Sequence, residues 1–462
     1  MLNGCSFQTY HSQPINPSQT AAHYRAHDPA GPEFHQYLIA QHYPEDQLPI
    51  RQWGLRELTL CALFFHPQLD VARAQLQAAQ AAEITAGQRP NPSASGDVGR
   101  SQDDAAPWVY HLGLDIPVET AGKRAASIAQ AQSLSEAARI DIGQTAWQVR
   151  SRLLNSWIEY NAALRQQQVL QQELDLRSEI VAMLDKRLEA GMISSVEIGT
   201  ARLQLQKTQQ ALAAEKGRVP ELRAILASNA GLTVETLNKL KLETSDLSEL
   251  HPPQYTPLMA RDTDDALQDA ALLNRLDIRA ALARYDAAES RLRLEIARQY
   301  PDITLSPSHA FEEGYHIWSL GLSALLPLLN KNEGLIAEAR ALRKVEAAQF
   351  KALQAQVIGD IGQAKARYFA ALDELELAHK AQVAQQAHLQ QITQQFKDGY
   401  ADRLELTTAK LENQLATQNM FTLEYNIERA VAALENAMQQ PLEDALSVPN
   451  NMQQAVEHQP AP

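Results

Sequence analysis

The sequence predicts a mainly α-helical chain, built from two similar units that each combine long helical hairpins with a short β-hairpin. Three observations lead to this fold class: proline-free stretches, helical periodicity and an internal duplication. No proline occurs in 118–219 or in 328–440, and a proline inside a helix costs about 3 kcal/mol. Very long helices are therefore allowed there, and one over residues 120–190 would measure ~105 Å at ~1.5 Å per residue.

Apolar residues in both proline-free stretches recur every three or four positions, which is the spacing of one helix face. The positions are Val149, Leu153, Trp157, Tyr160 and Leu164 in the first stretch and Val357, Ile361, Ala364, Tyr368, Ala371 and Leu375 in the second. We interpret them as the seams along which helices pack. Alanine fills many other positions, so neighbouring helices can also approach closely on a second face.

The composition supports long helices and disfavours several kinds of partner. Aromatic residues make up only 6% of the 462 residues, and the formal net charge is −14. Such an acidic balance disfavours nucleic acid and anionic membrane surfaces, so we predict no nucleic-acid partner. No apolar run approaches the roughly 18 residues that a membrane-spanning helix needs.

Sequence motifs of common enzymes are absent: the chain has no HExxH, GxSxG, GxGxxG, phosphate loop or CxxC. We therefore predict no catalytic residues, no cofactor and no enzymatic activity. Cys61 lies in an apolar helical stretch and reads as a buried thiol, with a disulfide to Cys5 as the alternative. Five of the thirteen histidines lie in the first 50 residues, but their spacing matches no tight metal site. We predict no bound metal, with a metal-binding tail as the alternative to an extended arm.

An internal duplication divides the chain. RLEAGMISSVEIGTARLQL (187–205) matches FKDGYADRLELTTAKLENQ (396–414), and WVYHLGLDIPV (108–118) matches IWSLGLSALLPLL (317–329). The predicted organisation is an extended N-terminal arm at 1–54, a first unit at 55–250, a linker at 251–261, a second unit at 262–446 and a disordered tail at 447–462.

Within each unit the apolar period changes from helical to alternating. One strand face would hold Tyr110, Leu112 and Leu114, and the matching face in the second unit Trp318, Leu320 and Leu322. Small or polar residues alternate with them, as in strands that separate lipid from a water-filled lumen. A half-buried strand of a soluble sheet is the alternative. With weaker partner strands before each, the β-hairpins lie at about 92–118 and 302–326.

Four strands per chain are too few to close a barrel, because known bacterial barrels have at least about eight. An open sheet edge in lipid would leave backbone groups unpaired, at several kcal/mol each. If these strands span a membrane, several chains must therefore combine them.

Two helical hairpins, each interrupted by a β-hairpin, resemble the TolC-type outer-membrane efflux family. The resemblance covers nearly the whole chain after about residue 55, and its most specific parts are the two Gly-x5-Glu segments and the two aromatic-x-Leu-Gly-Leu strands. IPVETAGKRAASIAQA (116–131) and LPLLNKNEGLIAEARA (326–341) are similar to the strand exits of one branch. That branch is the CzcC-like outer-membrane component of cobalt–zinc–cadmium cation efflux.

The resemblance implies a homotrimer in the bacterial outer membrane, with a twelve-stranded β-barrel and a trimeric α-barrel tunnel of helices through the periplasm. It also implies three partners: a periplasmic adaptor protein, a proton-driven inner-membrane pump and outer-membrane lipid. The channel would passively conduct substrates, here heavy-metal cations, to the outside. Drug efflux or type I protein secretion through the same architecture is the alternative, and a soluble coiled-coil scaffold is a more distant one.

The family's periplasmic tips are the turns between the long helices, which fall here at Gly191–Glu197 and Gly399–Glu405. By the resemblance, the two glutamates form carboxylate rings near the closed end; the alternative is that they stabilise helix N-termini. Family members often close the tip with a tyrosine and an arginine, where this chain has Phe396 and Ala401. The expected substitutes are Asp402 and Arg403. The expected adaptor-contacting residues are Met192, Ile193, Tyr400 and Ala401.

The first residues, MLNGC, have the pattern of a lipoprotein cleavage site with Cys5 as the acylated residue. A secretory signal needs a charged start and an apolar stretch of about 7–15 residues, and only Met1 and Leu2 precede Asn3. Many members of the family are lipoproteins. We therefore expect Cys5 to carry lipid, with an incidental cysteine as the alternative, and we expect that the given start is late or that the signal was removed.

Overall fold

The computed structural model describes residues 8–100, 102, 108–243, 272–312 and 314–442. Cys5, the linker predicted at 251–261 and the tail predicted at 447–462 lie outside these residues. The described chain is mainly helical and contains a four-stranded antiparallel sheet, so the predicted fold class is confirmed. Among the described residues, no helix is both long enough and apolar enough to cross a membrane.

The N-terminal arm is partly helical, which corrects the prediction of an extended segment. Helix α1 (Pro17–Arg25) and helix α2 (Pro32–Ala40) each begin with proline, whose fixed φ suits the first helical position. The Asn16 side chain caps α1 by accepting hydrogen bonds from its first turn. Phe34 and Leu38 of α2 are buried in the core, and this burial holds the arm against the rest of the chain.

The first unit runs from helix α3 to helix α7. Its elements are α3 (Leu55–Phe65), α4 (Pro67–Gly87), β1 (Ser93–Arg100), β2 (Trp108–Val118), α5 (Lys123–Glu189), α6 (Ser195–Asn229) and α7 (Val234–Lys239). Helix α5 has 67 residues and is therefore ~100 Å long at ~1.5 Å per residue. Helices α4 and α6 both pack along α5.

The second unit repeats this order from its first long helix onward. Its elements are α8 (Leu276–Ala297), β3 (Ile303–Glu312), β4 (Tyr315–Ala324), α9 (Glu333–Lys397) and α10 (Arg403–Met438). Helix α9 has 65 residues, nearly the length of α5. Helices α8 and α10 both pack along α9, and α8 also packs along α5.

Helix α6 continues through Pro220, whereas Pro17, Pro32 and Pro67 lie at the first positions of their helices. Pro220 is exposed, so water can solvate the carbonyl group that loses its hydrogen-bond donor. The end of the proline-free stretch at residue 219 is therefore not the end of a helix.

The core consists mainly of two apolar clusters, one in each unit. The first joins α2, α3, α5 and the end of α6 around Phe34, Leu153 and Leu226. The second joins α8, α9 and α10 around Ile361 and Leu434. Every seam position predicted from the periodicity lies in one of these clusters or packs against it.

The two units are joined along α5 and α10, which run antiparallel. Residue numbers rise along α5 as they fall along α10 in the polar pairs that follow this seam. The pairs are Arg150–Glu435, Arg165–Glu424, Gln172–Gln414 and Arg187–Asp402. The first pair is buried in the core, and the last lies partly exposed at the far helix ends.

Candidate functional site

The β-hairpins of the two units form one sheet in the order β1-β2-β3-β4, and every neighbouring pair is antiparallel. The hairpins join through β2 and β3, where Tyr110 lies opposite Phe311 and Leu112 opposite His309. Strands β1 and β4 are the sheet edges, and neither pairs with a further strand of the described chain. The sheet is therefore open on both sides within one chain.

One face of this sheet is apolar and carries all six residues predicted to face the membrane. Directly paired residues share a face of an antiparallel sheet, and the register puts these six on the same face. They are Tyr110, Leu112, Leu114, Trp318, Leu320 and Leu322. The side chains of the last three are between 71% and 81% exposed, an unusual exposure for residues of this size in a soluble sheet.

The other face of the sheet is polar. It carries Asp97, His111 and Asp115 together with several serines of β3 and β4. The Ser306 hydroxyl donates a hydrogen bond to Asp115 Oδ1 at 2.5 Å, and His111 Nδ1 lies 3.9 Å from Asp97 Oδ2. Such a face is compatible with water and ions.

Helices α5 and α6 form the first helical hairpin, and the turn at its tip begins at Gly191. This glycine ends α5 in the left-handed region, with a φ of 72°. The Met192 N–H donates to the Arg187 carbonyl at 2.8 Å, and the Gly191 N–H donates to the Leu188 carbonyl at 2.9 Å. These two bonds form a Schellman motif. Three residues after Gly191, Ser194 is the N-cap of α6.

The second tip repeats this design. Gly399 has a φ of 79°, and the Tyr400 N–H donates to the Gln395 carbonyl at 2.8 Å. Asp402 is the N-cap of α10, and its Oδ1 accepts from the Glu405 N–H at 2.9 Å. The duplication seen in the sequence therefore preserves the same turn between two long antiparallel helices at both tips.

Glu197 and Glu405 are the third residues of their helices and complete capping boxes. Glu197 Oε2 accepts from the Ser194 N–H at 3.2 Å, and Glu405 Oε2 accepts from the Asp402 N–H at 2.8 Å. This geometry matches the alternative in which the glutamates stabilise helix N-termini. Both side chains are also exposed, and the carboxylate ring remains a prediction.

A salt bridge connects the two tips. Arg187 Nη2 of α5 lies 2.5 Å from Asp402 Oδ2 at the start of α10. The backbone hydrogen bond from Glu405 and the Arg187 guanidinium lower the pKa of Asp402. Arg403 is the predicted companion of Asp402, but the partner of Asp402 in the structure is Arg187, from the other unit.

The residues expected to contact an adaptor differ in exposure. Met192 is 75% exposed and Tyr400 is 87% exposed, whereas Ile193 and Ala401 are half-buried. The two exposed side chains occupy equivalent places, directly after the glycine of each tip. Their role in adaptor binding remains a prediction. The described residues contain no cluster of three or more His, Cys, Asp or Glu side chains arranged around a metal site.

This architecture, a small sheet with open edges joined to ~100 Å helical hairpins, is shared with known proteins. The family described as outer membrane efflux protein matches residues 62–231 and 267–440. The structure superposes on the outer membrane protein VceC of Vibrio cholerae with a TM-score of 0.66 at 20% identity, covering 84% of this chain and 97% of VceC. The chain belongs to the outer membrane efflux protein family and is an outer-membrane protein.

Two curated relatives share about a quarter of their aligned residues with this chain. One is the cobalt-zinc-cadmium resistance protein CzcC of Cupriavidus metallidurans, 24% identical over 238 residues. That alignment covers 51% of this chain and only 54% of CzcC. The other is the pyoverdine export outer membrane protein OpmQ of Pseudomonas aeruginosa, 24% identical over 352 residues, covering 69% of this chain and 71% of OpmQ.

Proposed function

We propose that three copies of this chain form the outer-membrane channel of a tripartite efflux system. The single observation that carries this proposal is the four-stranded sheet with one apolar face, one polar face and two open edges. Pairing β4 of one copy with β1 of the next satisfies both edges, and three copies give twelve strands. The apolar face then contacts lipid and the polar face lines the lumen.

The helical tips are the proposed closed end of the channel. In a trimer, the α5–α6 and α9–α10 hairpins of each copy extend away from the membrane and end at Gly191 and Gly399. The Arg187–Asp402 salt bridge holds the two hairpins of one copy together at this end. An opening that separates the hairpins has to break it, so the bridge acts as a latch.

The proposed cargo is a divalent heavy-metal cation, delivered by a periplasmic adaptor and a proton-driven inner-membrane pump. Support comes from the acidic side chains on the polar face, Asp97 and Asp115, and from the resistance role stated in the name of CzcC. A water-filled lumen with carboxylates favours cations over anions. The lumen passes the ion without binding it tightly.

The second candidate is export of an organic compound through the same channel. It is favoured by the OpmQ alignment, which covers a larger part of both chains than the CzcC alignment does. Deletion of the gene distinguishes the two candidate cargoes. Sensitivity to zinc, cadmium or cobalt with retained radioactive zinc would support metal export, and unchanged metal tolerance with loss of an exported organic compound would support the second candidate.

Assembly and conduction are tested on the purified full chain in mild detergent. Native mass spectrometry should give three copies, and planar bilayers should show a cation-preferring conductance. Asp97→Asn with Asp115→Asn should reduce the cation preference, measured as a smaller reversal potential in a salt gradient. A monomer at every detergent concentration would contradict the channel, whereas an unchanged reversal potential would contradict only the role of these carboxylates.

A further inference from the structure

Two histidines contact each other near the end of the sheet that lies away from the helices. His309 Nε2 and His316 Nδ1 are 3.1 Å apart. His309 lies on β3 and His316 on β4, close to the turn at Gly314. Neither residue lines the conduction path proposed above. In the single chain, His316 is exposed and His309 is half-buried.

The strand register explains why the two imidazoles meet. His309 is directly opposite Trp318, and His316 is directly opposite Phe311. The histidines are therefore diagonal neighbours on the apolar face, a relationship that long side chains can span. The two rings are stacked with centroids 5.3 Å apart.

Aromatic side chains hold both imidazoles in place. The His309 ring lies 4.6 Å from Trp318 and 6.2 Å from Tyr110, and the His316 ring lies 4.9 Å from Phe311. Packing of this kind fixes ring orientation before a ligand arrives, which lowers the entropic cost of binding.

We propose that His309 and His316 form a binding site for a divalent transition-metal ion at the outward end of the sheet. Two imidazole nitrogens bound to one ion at ~2.1 Å, with a bond angle between about 90° and 110°, lie about 3.0–3.4 Å apart. The observed separation of 3.1 Å falls within this interval. Imidazole favours copper, nickel and zinc, with Cu²⁺ bound most tightly; water completes the coordination.

The proton balance of binding is simple. In the metal-free pair, one neutral imidazole donates its N–H to the lone pair of the other. On binding, that donor changes tautomer, so its proton moves to the other nitrogen of the same ring and a second lone pair becomes available to the ion. Two neutral imidazoles then hold the metal, and no net proton is released.

This inference goes beyond the proposed function, and it does not require the cargo to be a metal. The site lies on the apolar face near its outward end, and the conduction path proposed above follows the polar face. Metal binding and conduction can therefore fail or succeed independently.

The test uses the full chain in mild detergent, without a histidine tag, titrated with Cu²⁺ alone and followed by electron paramagnetic resonance. We expect a tight equivalent of Cu²⁺ per chain, with hyperfine coupling to two imidazole nitrogens. The double variant His309→Gln/His316→Gln should lose this species, and its affinity for Cu²⁺ should fall by at least about tenfold. Loss of a mere outer-shell partner already costs about that much. Each single variant should also lose most of the two-nitrogen Cu²⁺ species, because one imidazole cannot chelate the ion.

The matched control is His379→Gln/His388→Gln, which removes two exposed histidines of α9 that do not contact each other. This control should keep the two-nitrogen species. Oligomer size and circular dichroism check that each variant is folded. The proposal is overturned if the His309/His316 variant binds Cu²⁺ with the same affinity and spectrum as the wild type, or if the control variant loses the same species.

Discussion

Arg187 Nη2 lies 2.5 Å from Asp402 Oδ2, and this contact joins the tip of the first helical hairpin to the tip of the second. Asp402 Oδ1 meanwhile caps α10 by accepting from the Glu405 N–H. A single carboxylate therefore starts a helix of one unit and holds a helix of the other. Both side chains are partly exposed, so water can reach the salt bridge.

Asp402→Asn is expected to loosen the latch without unfolding the tip. Asparagine is as good an N-cap as aspartate, so the start of α10 should persist while the charge that attracts Arg187 is lost. Exposed ion pairs contribute about 0–1 kcal/mol, a change that raises the open fraction up to about fivefold. We expect a larger mean conductance in planar bilayers, and Arg187→Gln should have the same effect.

The control for this experiment is the Arg202–Asp185 pair, which has a similar length of 2.6 Å but joins α6 to α5 within one hairpin. Arg202→Gln removes a comparable charge near the same tip and should leave conductance unchanged. The latch hypothesis would be contradicted if Arg202→Gln raised conductance as much as Arg187→Gln. It would also be contradicted if neither Asp402→Asn nor Arg187→Gln raised conductance.

The sequence could predict the duplicated tips but not this latch. The glycine and the capping glutamate recur at matching places in both units, and each has a local geometric role that a sequence pattern reveals. Arg187 and Asp402 lie 215 residues apart, and only the antiparallel packing of α5 on α10 brings them together. Lys186 and Arg403 carry the same charge nearby, so charge alone did not identify the partner.

The same contrast applies to the sheet and to the N-terminal arm. Alternation predicted the apolar face of Tyr110 and Trp318 because side chains alternate strictly along a strand. The contact between His309 and His316 depends on register across the hairpin, which alternation does not define. In the arm, Pro17 and Pro32 begin helices, and a proline at the first helical position is compatible with both a helix start and an extended chain.

Glu435→Gln is expected to destabilise the fold strongly. Arg150 Nη1 lies 2.8 Å from Glu435 Oε2, and both side chains are almost fully buried. Breaking a buried pair leaves an uncompensated charge, at a cost of about 3–5 kcal/mol. Glu435 Oε1 also accepts the Leu442 N–H at 2.8 Å. Denaturant unfolding in detergent measures the change in the free energy of unfolding.

The comparison for this variant is Glu338→Gln, which breaks the exposed Arg291–Glu338 pair between α8 and α9. Such a surface pair should contribute about 0–1 kcal/mol. Equal losses in the two variants would show that the Arg150–Glu435 pair has no special part in joining the units.

Stability is expected to fall on mild acidification because of His66. Burial and the neighbouring Arg152 charge lower the pKa of His66 from 6.5 to about 4. His66 Nδ1 also accepts from the Gln68 N–H at 3.3 Å and so caps α4 in its neutral form. Between these two values the unfolded chain binds the proton and the folded chain does not, so the free energy of unfolding decreases as the pH falls.

His66→Asn should remove this contribution and retain a cap, because the asparagine side chain can also accept the N-terminal hydrogen bond. The measurement is the free energy of unfolding of wild type and variant at several values between pH 7 and pH 4. As the pH falls, the free energy of unfolding should decrease more in the wild type than in His66→Asn. A constant difference between the two would contradict the prediction.

Gly231→Ala is expected to cost more stability than Gly191→Ala, although both glycines have nearly the same positive φ, 73° and 72°. A side chain in this region costs about 1–2 kcal/mol through the backbone alone. At Gly191 an added Cβ would meet open space, whereas at Gly231 it would lie 2.9 Å from the Phe65 carbonyl carbon and 3.0 Å from the His66 nitrogen. The end of α6 would therefore have to move away from α3. Thermal unfolding of the two variants should separate the backbone cost from the packing cost. Equal decreases in the midpoint temperature would show that the core relaxes around residue 231 without loss of stability.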